Sequence, residues 1–163
     1  MHSIDSLVEL GKVSRILETE RERYLNFYRT SYQDNLEHSA FVIDQFPRWS
    51  IISGYYAMHD ATKLLIAKGY GYKIDEDVHS TSISFLSEIL KGDELIDLFQ
   101  SGYREYQEMA GKLYGAREER RKAQYYTGTP FAVDYFRKRS KKFHDEVVIP
   151  YIERIIILME AVC

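Results

Sequence analysis

Residues 117–126, Arg-Glu-Glu-Arg-Arg-Lys-Ala-Gln-Tyr-Tyr, hold the side chains of this chain best suited to chemistry on an anionic, ring-bearing ligand. The guanidinium groups of Arg117, Arg120 and Arg121 can grip phosphate oxygens, with Lys122 adding a point charge. Tyr125 and Tyr126, with Tyr114 upstream, offer rings on which a base can stack. A purely structural reading of the same residues is open: Glu118 and Glu119 neutralise the arginines, and the tyrosines pack against Phe131. A second cluster, Asp75-Glu76-Asp77, invites a metal. A calcium loop counted from Asp75 would place Ser80 at the glycine position and Leu86 at the bidentate glutamate, so calcium is rejected. Asp77 and His79 could hold a transition ion only with ligands from elsewhere, and neither a metal nor a cofactor is expected.

Composition sets the frame for these groups. A chain of 163 residues is expected to form one domain over 1–163, large enough to bury a core without disulfides or metals. The one cysteine, Cys163, excludes an intrachain disulfide, which points to a reducing cytoplasm. His2, Asp5 and Glu9 interrupt any secretory leader, and no run approaches the roughly 18 apolar residues of a membrane span, so no membrane partner is expected. The net charge of −3 hides a division: residues 75–108 carry nine acids against Lys91 and Arg104, whereas 111–144 carry ten bases against Glu118, Glu119 and Asp134. Such segments can pair within a bundle or across a dimer, or leave a basic surface for phosphate.

Apolar spacing then supplies the elements. Ile4, Leu7, Val8, Leu10, Val13, Ile16 and Leu17, followed by Tyr24, Phe27, Tyr28 and Tyr32, predict one long first helix. Leu36–Phe46 continues it or forms a short helix that Pro47 ends. The next helix is expected from near Arg48 to about Lys68, presenting Trp49, Ile52, Tyr56, Lys63 and Ala67 near one face, with Gly69 and Gly71 stopping it in left-handed conformations. Lys63 should bury its stem and expose its head. Residues 70–82 read as loop, with His79 near a helix start and Ser80, Thr81 and Ser82 as N-caps for a short helix through Leu90. After Gly92, Asp93 caps a longer helix striped by Leu95, Ile96, Phe99, Tyr103, Tyr106, Met109 and Leu113. After Gly115, polar helix chemistry gives way to a helix end and loop at Thr127, Gly128, Thr129 and Pro130, and the last helix begins near Phe131, with a kink or break at Pro150. No alternating apolar strand is apparent, so the fold class is all-α, an up-and-down bundle of four to five helices.

The Tyr55-Tyr56 pair, Ala57, Ala61, Lys63, Leu64, Leu65, Gly69 and the later His79 before Ile83 and Phe85 together resemble the HEPN (higher eukaryotes and prokaryotes nucleotide-binding) family. The chain departs from that pattern at His59 and Asp60, where the family more often has an aromatic residue and then a histidine. The resemblance implies a helical-bundle fold, a homodimer with its cleft at the two-fold interface, and nucleotide or RNA as ligand. Many such proteins are ribonucleases with an arginine, a histidine a few positions later and a tyrosine two beyond. That chemistry needs no metal: the ribose 2′-hydroxyl attacks the phosphate, imidazole moves the proton and guanidinium stabilises the phosphorane.

Matched to that motif, the catalytic candidates are Arg117 or Arg120 with Gln124 and Tyr126, and glutamine stands where histidine would be. Glutamine hydrogen-bonds but exchanges no proton near neutral pH. An alternative pair is Arg139 with His144, five residues apart and therefore turned about 140° from each other on a straight helix. The expected function is a nucleotide- or RNA-binding protein, non-catalytic or weakly active, with Arg117, Arg120, Arg121, Lys122, Tyr125 and Tyr126 as its binding residues. Family analogy adds a toxin–antitoxin or defence module with a small nucleotidyltransferase partner. The alternatives are a metal-independent endoribonuclease and a helical protein-interaction module.

Overall fold

The computed structural model describes residues 3–90, 94–119 and 130–162, the side chains of 111–133 excepted. It is mostly helical: α1 (Ile4–Glu9), β1 (Val13–Arg15), α2 (Glu18–Phe41), α3 (Pro47–Leu65), a π-helical turn (Ile66–Tyr70), β2 (Tyr72–Ile74), α4 (Val78–Leu90), α5 (Glu94–Glu119), α6 (Pro130–Phe143), a second π-helical turn (His144–Val148) and α7 (Ile149–Ala161).

Helix α3 is the central post. Its Ile51, Ala57, Met58, Ala61, Leu64 and Leu65 are buried among α2, α5, α6 and α7. Pro47 opens it at the first turn, where its missing N–H costs nothing. Small residues set how closely its neighbours approach. A Cβ on Gly54 would stand 2.9 Å from Val148 Cγ2 and 3.1 Å from Ser39 Oγ, and one on Gly102 of α5 would stand 2.8 Å from Met58 Sδ. Leu95, Phe99 and Met109 of α5 join Tyr151, Ile152 and Ile155 of α7 in the same core, as the apolar stripe on α5 predicts.

The expected single first helix is two helices and a strand. Gly11, at φ +68°, ends the first segment, and β1 pairs antiparallel with β2 in the register Val13↔Ile74, Ser14↔Lys73, Arg15↔Tyr72. The two strands also replace part of the loop expected over 70–82. Burial decides this: Val13 and Ile74 pack with Leu7, Ile66 and Phe85 in a second small core. The Glu20 carboxylate accepts from the Leu17 N–H at 3.2 Å and from Lys73 Nζ at 2.8 Å, so it starts α2 and ties that helix to β2.

Gly71 takes the expected left-handed conformation at φ +72°. Gly69 does not: it lies within the π-helical turn, where a Cβ would meet Val162 Cγ2 at 2.7 Å. Helix α4 starts at Val78, ahead of the expected caps. Ser80 and Thr81 lie inside it and donate to the carbonyls of Asp77 and Glu76. Near Pro150 the chain widens into the π-helical turn and continues as α7, one of the ways a helix accommodates a residue that cannot donate.

Candidate functional site

Of the residues singled out from sequence, Arg120, Arg121, Lys122, Gln124, Tyr125 and Tyr126 lie outside the described residues, as does the side chain of Arg117, whose backbone is near the end of α5. The Arg139–His144 pair is described, and each side chain is engaged elsewhere. Arg139 turns toward α5, donating through Nε and Nη2 to Glu105 at 2.8 and 3.1 Å and through Nη1 to Glu108 at 2.8 Å, with a further Nη2 contact to Glu108. Glu108 and then Glu105 raise its affinity for its proton further. With Nε, Nη1 and Nη2 all donating to these two carboxylates, the guanidinium is a poor receptor for phosphate. His144, in the second π-helical turn, is 11% exposed, with Nδ1 3.2 Å from Asp145 Oδ1 and Nε2 buried without a hydrogen-bond partner among the described residues. The Arg139 contacts also join the basic and acidic segments within one bundle.

A second constellation forms along the outward strip of α3. At positions 56, 59 and 63, helical spacing aligns a tyrosine, a histidine and a lysine. His59 Nδ1 is 3.0 Å from Asp60 Oδ1. A carboxylate only accepts, so Nδ1 carries the proton and Nε2 is the nitrogen Asp60 leaves untouched. Asp60 is 7% exposed, and its Oδ2 accepts from Ser31 at 2.6 Å and Asn35 at 3.2 Å, both on α2. This carboxylate is therefore fully engaged and fixes the neighbouring imidazole. One turn further on, Lys63 Nζ donates to the Tyr28 hydroxyl at 3.2 Å and stands 5.1 Å from that ring's centroid. It forms no ion pair among the described residues.

Rings from α4 and α5 close the other side. Tyr106 stacks on Tyr55 at 4.6 Å, and its hydroxyl is 3.4 Å from that of Tyr56. That bond, followed by partial burial, pushes the Tyr56 hydroxyl up to about 12. His79 stacks on Tyr103 at a centroid distance of 3.4 Å and on Phe99 at 5.3 Å, while Tyr55 OH lies 3.4 Å from its Nδ1. Burial, then the nearby charge of His59, holds His79 down at about 4, a neutral imidazole at physiological pH. His59 and His79 both border Tyr55, at centroid distances of 6.0 and 6.4 Å.

The strip thus combines an imidazole fixed by a carboxylate, a second imidazole kept neutral, an ammonium without an acidic partner among the described residues, and half-exposed phenol rings. Sequence reasoning recognised the face bearing Trp49, Ile52, Tyr56 and Lys63, but took His59 and Asp60 only as a departure from a motif and His79 as a helix-start residue. His79 does sit in the first turn of α4, and the 56/59/63 spacing was the signal available for His59. Among the described residues no group of three or more His, Cys, Asp or Glu is placed to hold a metal, and no helix is long and apolar enough to cross a membrane. No family model, curated protein or solved structure matches the chain.

Proposed function

We propose that this chain is a HEPN-like nucleotide- or RNA-binding protein with little or no ribonuclease activity. The observation that carries this reading is the Arg139 guanidinium, which is spent on Glu105 and Glu108 and so withdraws the arginine–histidine pair of α6 from phosphate chemistry. The other register, Arg117 or Arg120 with Gln124 and Tyr126, has glutamine in the proton-transfer position. Binding rests on the basic, tyrosine-bearing segment 117–126 and on the resemblance given by the α3 residues. That resemblance alone extends the proposal to a homodimer in the cytoplasm, acting in a toxin–antitoxin or defence module beside a small nucleotidyltransferase.

A metal-independent endoribonuclease is the second reading. It is favoured by His59 and His79, which supply the imidazoles that the 117–126 segment lacks. Incubation of labelled single-stranded RNA in excess EDTA, with the parent and an Arg117→Ala/Arg120→Ala variant of equal thermal stability, separates the two. Salt-sensitive binding without cleavage, weakened in the variant, is the expected result. Cleavage by the parent that the variant loses overturns it in favour of the nuclease. Salt-insensitive association with a protein partner and no RNA binding would make the chain a helical interaction module.

A further inference from the structure

We propose that the strip of α3 presenting Tyr56, His59 and Lys63, between Tyr28 of α2 and Tyr106 of α5, is a nucleotide site that takes phosphate at Lys63 and His59 and the base on Tyr56. The proposal rests on the nucleotide-binding reading above and assigns it a place distinct from both arginine segments.

Lys63 is half-buried, carries no ion pair among the described residues, and is held over the Tyr28 ring with a phenol oxygen as its hydrogen-bond partner. A bound phosphate would give this ammonium the anion it lacks. Asp60, the acid beside it, does not compete for this ammonium: its oxygens are taken by His59, Ser31 and Asn35.

Spacing makes the groups act together. Residues four apart on a helix have Cβ atoms about 5–6 Å from each other, so Lys63 Nζ and His59 Nε2 can reach one phosphate, the imidazole donating from Nε2 in its doubly protonated form while Nδ1 stays on Asp60. The Asp60 contact fixes the His59 ring before any ligand arrives, which lowers the entropy lost on binding. Tyr56, three residues before His59 and 39% exposed, is pinned by the Tyr106 hydroxyl, leaving a preset ring surface for a base. Stacking of this kind tolerates any base, so recognition should depend on phosphate more than on base identity.

The occupant can be a free nucleotide or one nucleotide of an RNA strand, and the probes distinguish them. Titration of the 163-residue chain with 5′-AMP, adenosine and a short single-stranded RNA, followed by the His59 imidazole NMR resonances and by calorimetry, is the test. Lys63→Met should weaken 5′-AMP binding at least tenfold. Lys63→Arg should keep it within about threefold, and Lys141→Met, an equal change of charge on α6, should leave it unchanged. Adenosine should bind far more weakly than 5′-AMP. RNA binding that requires Lys63, with no response to 5′-AMP, also supports the site and makes a strand nucleotide its occupant. Equal binding of nucleotide and RNA by the parent and a folded Lys63→Met variant overturns the site while nucleotide binding by the chain stands. If the parent binds neither, both readings fall.

Discussion

Replacing Arg139 with methionine keeps the apolar stem and deletes the guanidinium, which separates a structural role from a phosphate-binding one. The parent residue makes three charge-assisted bonds of 2.8–3.1 Å and one further contact to two glutamates on α5. Shielded bonds of this kind contribute about 1.5–3 kcal/mol each and exposed ion pairs about 0–1 kcal/mol. Arg139 is 19% exposed, Glu105 27% and Glu108 43%, which places the network between those limits. Leaving Glu105 and Glu108 facing each other three residues apart adds a few tenths of a kcal/mol of repulsion. Arg139→Met should therefore cost about 2 kcal/mol, lowering Tm by about 4–8 °C for a chain of this length. Thermal and urea unfolding at low salt and in 1 M NaCl, where the screening length is about 3 Å, should show the deficit shrinking with salt. A double-mutant cycle with Glu105→Gln should return a coupling of about 1 kcal/mol. The reasoning is refuted if the variant unfolds within about 0.5 kcal/mol of the parent yet loses RNA binding or cleavage, since the guanidinium would then be serving phosphate.

Two further predictions concern groups packed beside α3. Thr62 donates to the Met58 carbonyl at 2.7 Å and so accepts from the Tyr151 hydroxyl at 2.5 Å, both residues being fully buried. Thr62→Val should cost about 1–3 kcal/mol by orphaning that hydroxyl, and adding Tyr151→Phe should recover part of the loss in urea unfolding; a further drop in the double variant would count against the hydrogen bond as the cause. His79, whose affinity for protons is lowered to about 4 in the folded chain, takes up its proton earlier when unfolded, at about 6.5. Stability should accordingly fall as pH drops from about 6.5 to about 4, and His79→Phe, still stacked on Tyr103, should flatten that part of the profile; parallel profiles for parent and variant would contradict the assignment.

Local periodicity made much of the framework legible. The helix expected from near Arg48, the stop at Gly71 and the α5 stripe through Leu95, Phe99 and Met109 each follow from residues a few positions apart, because helical spacing repeats within the segment itself. The strands were not legible, since three residues are too few to display alternation, and Val13 becomes a strand residue by pairing with Ile74, far along the chain. The same limit applies to the chemistry. Sequence placed Arg139 five residues before His144, whereas packing turned it toward Glu105 and Glu108, over 30 positions earlier. It placed His59 beside Asp60 without indicating that Ser31 and Asn35 would bury that carboxylate, or that Tyr55 would lie between His59 and His79. Residue order fixes which side chains share a helix face; which faces meet, and therefore which charges are spent and which stay open to a ligand, depends on the packing of helices distant in sequence.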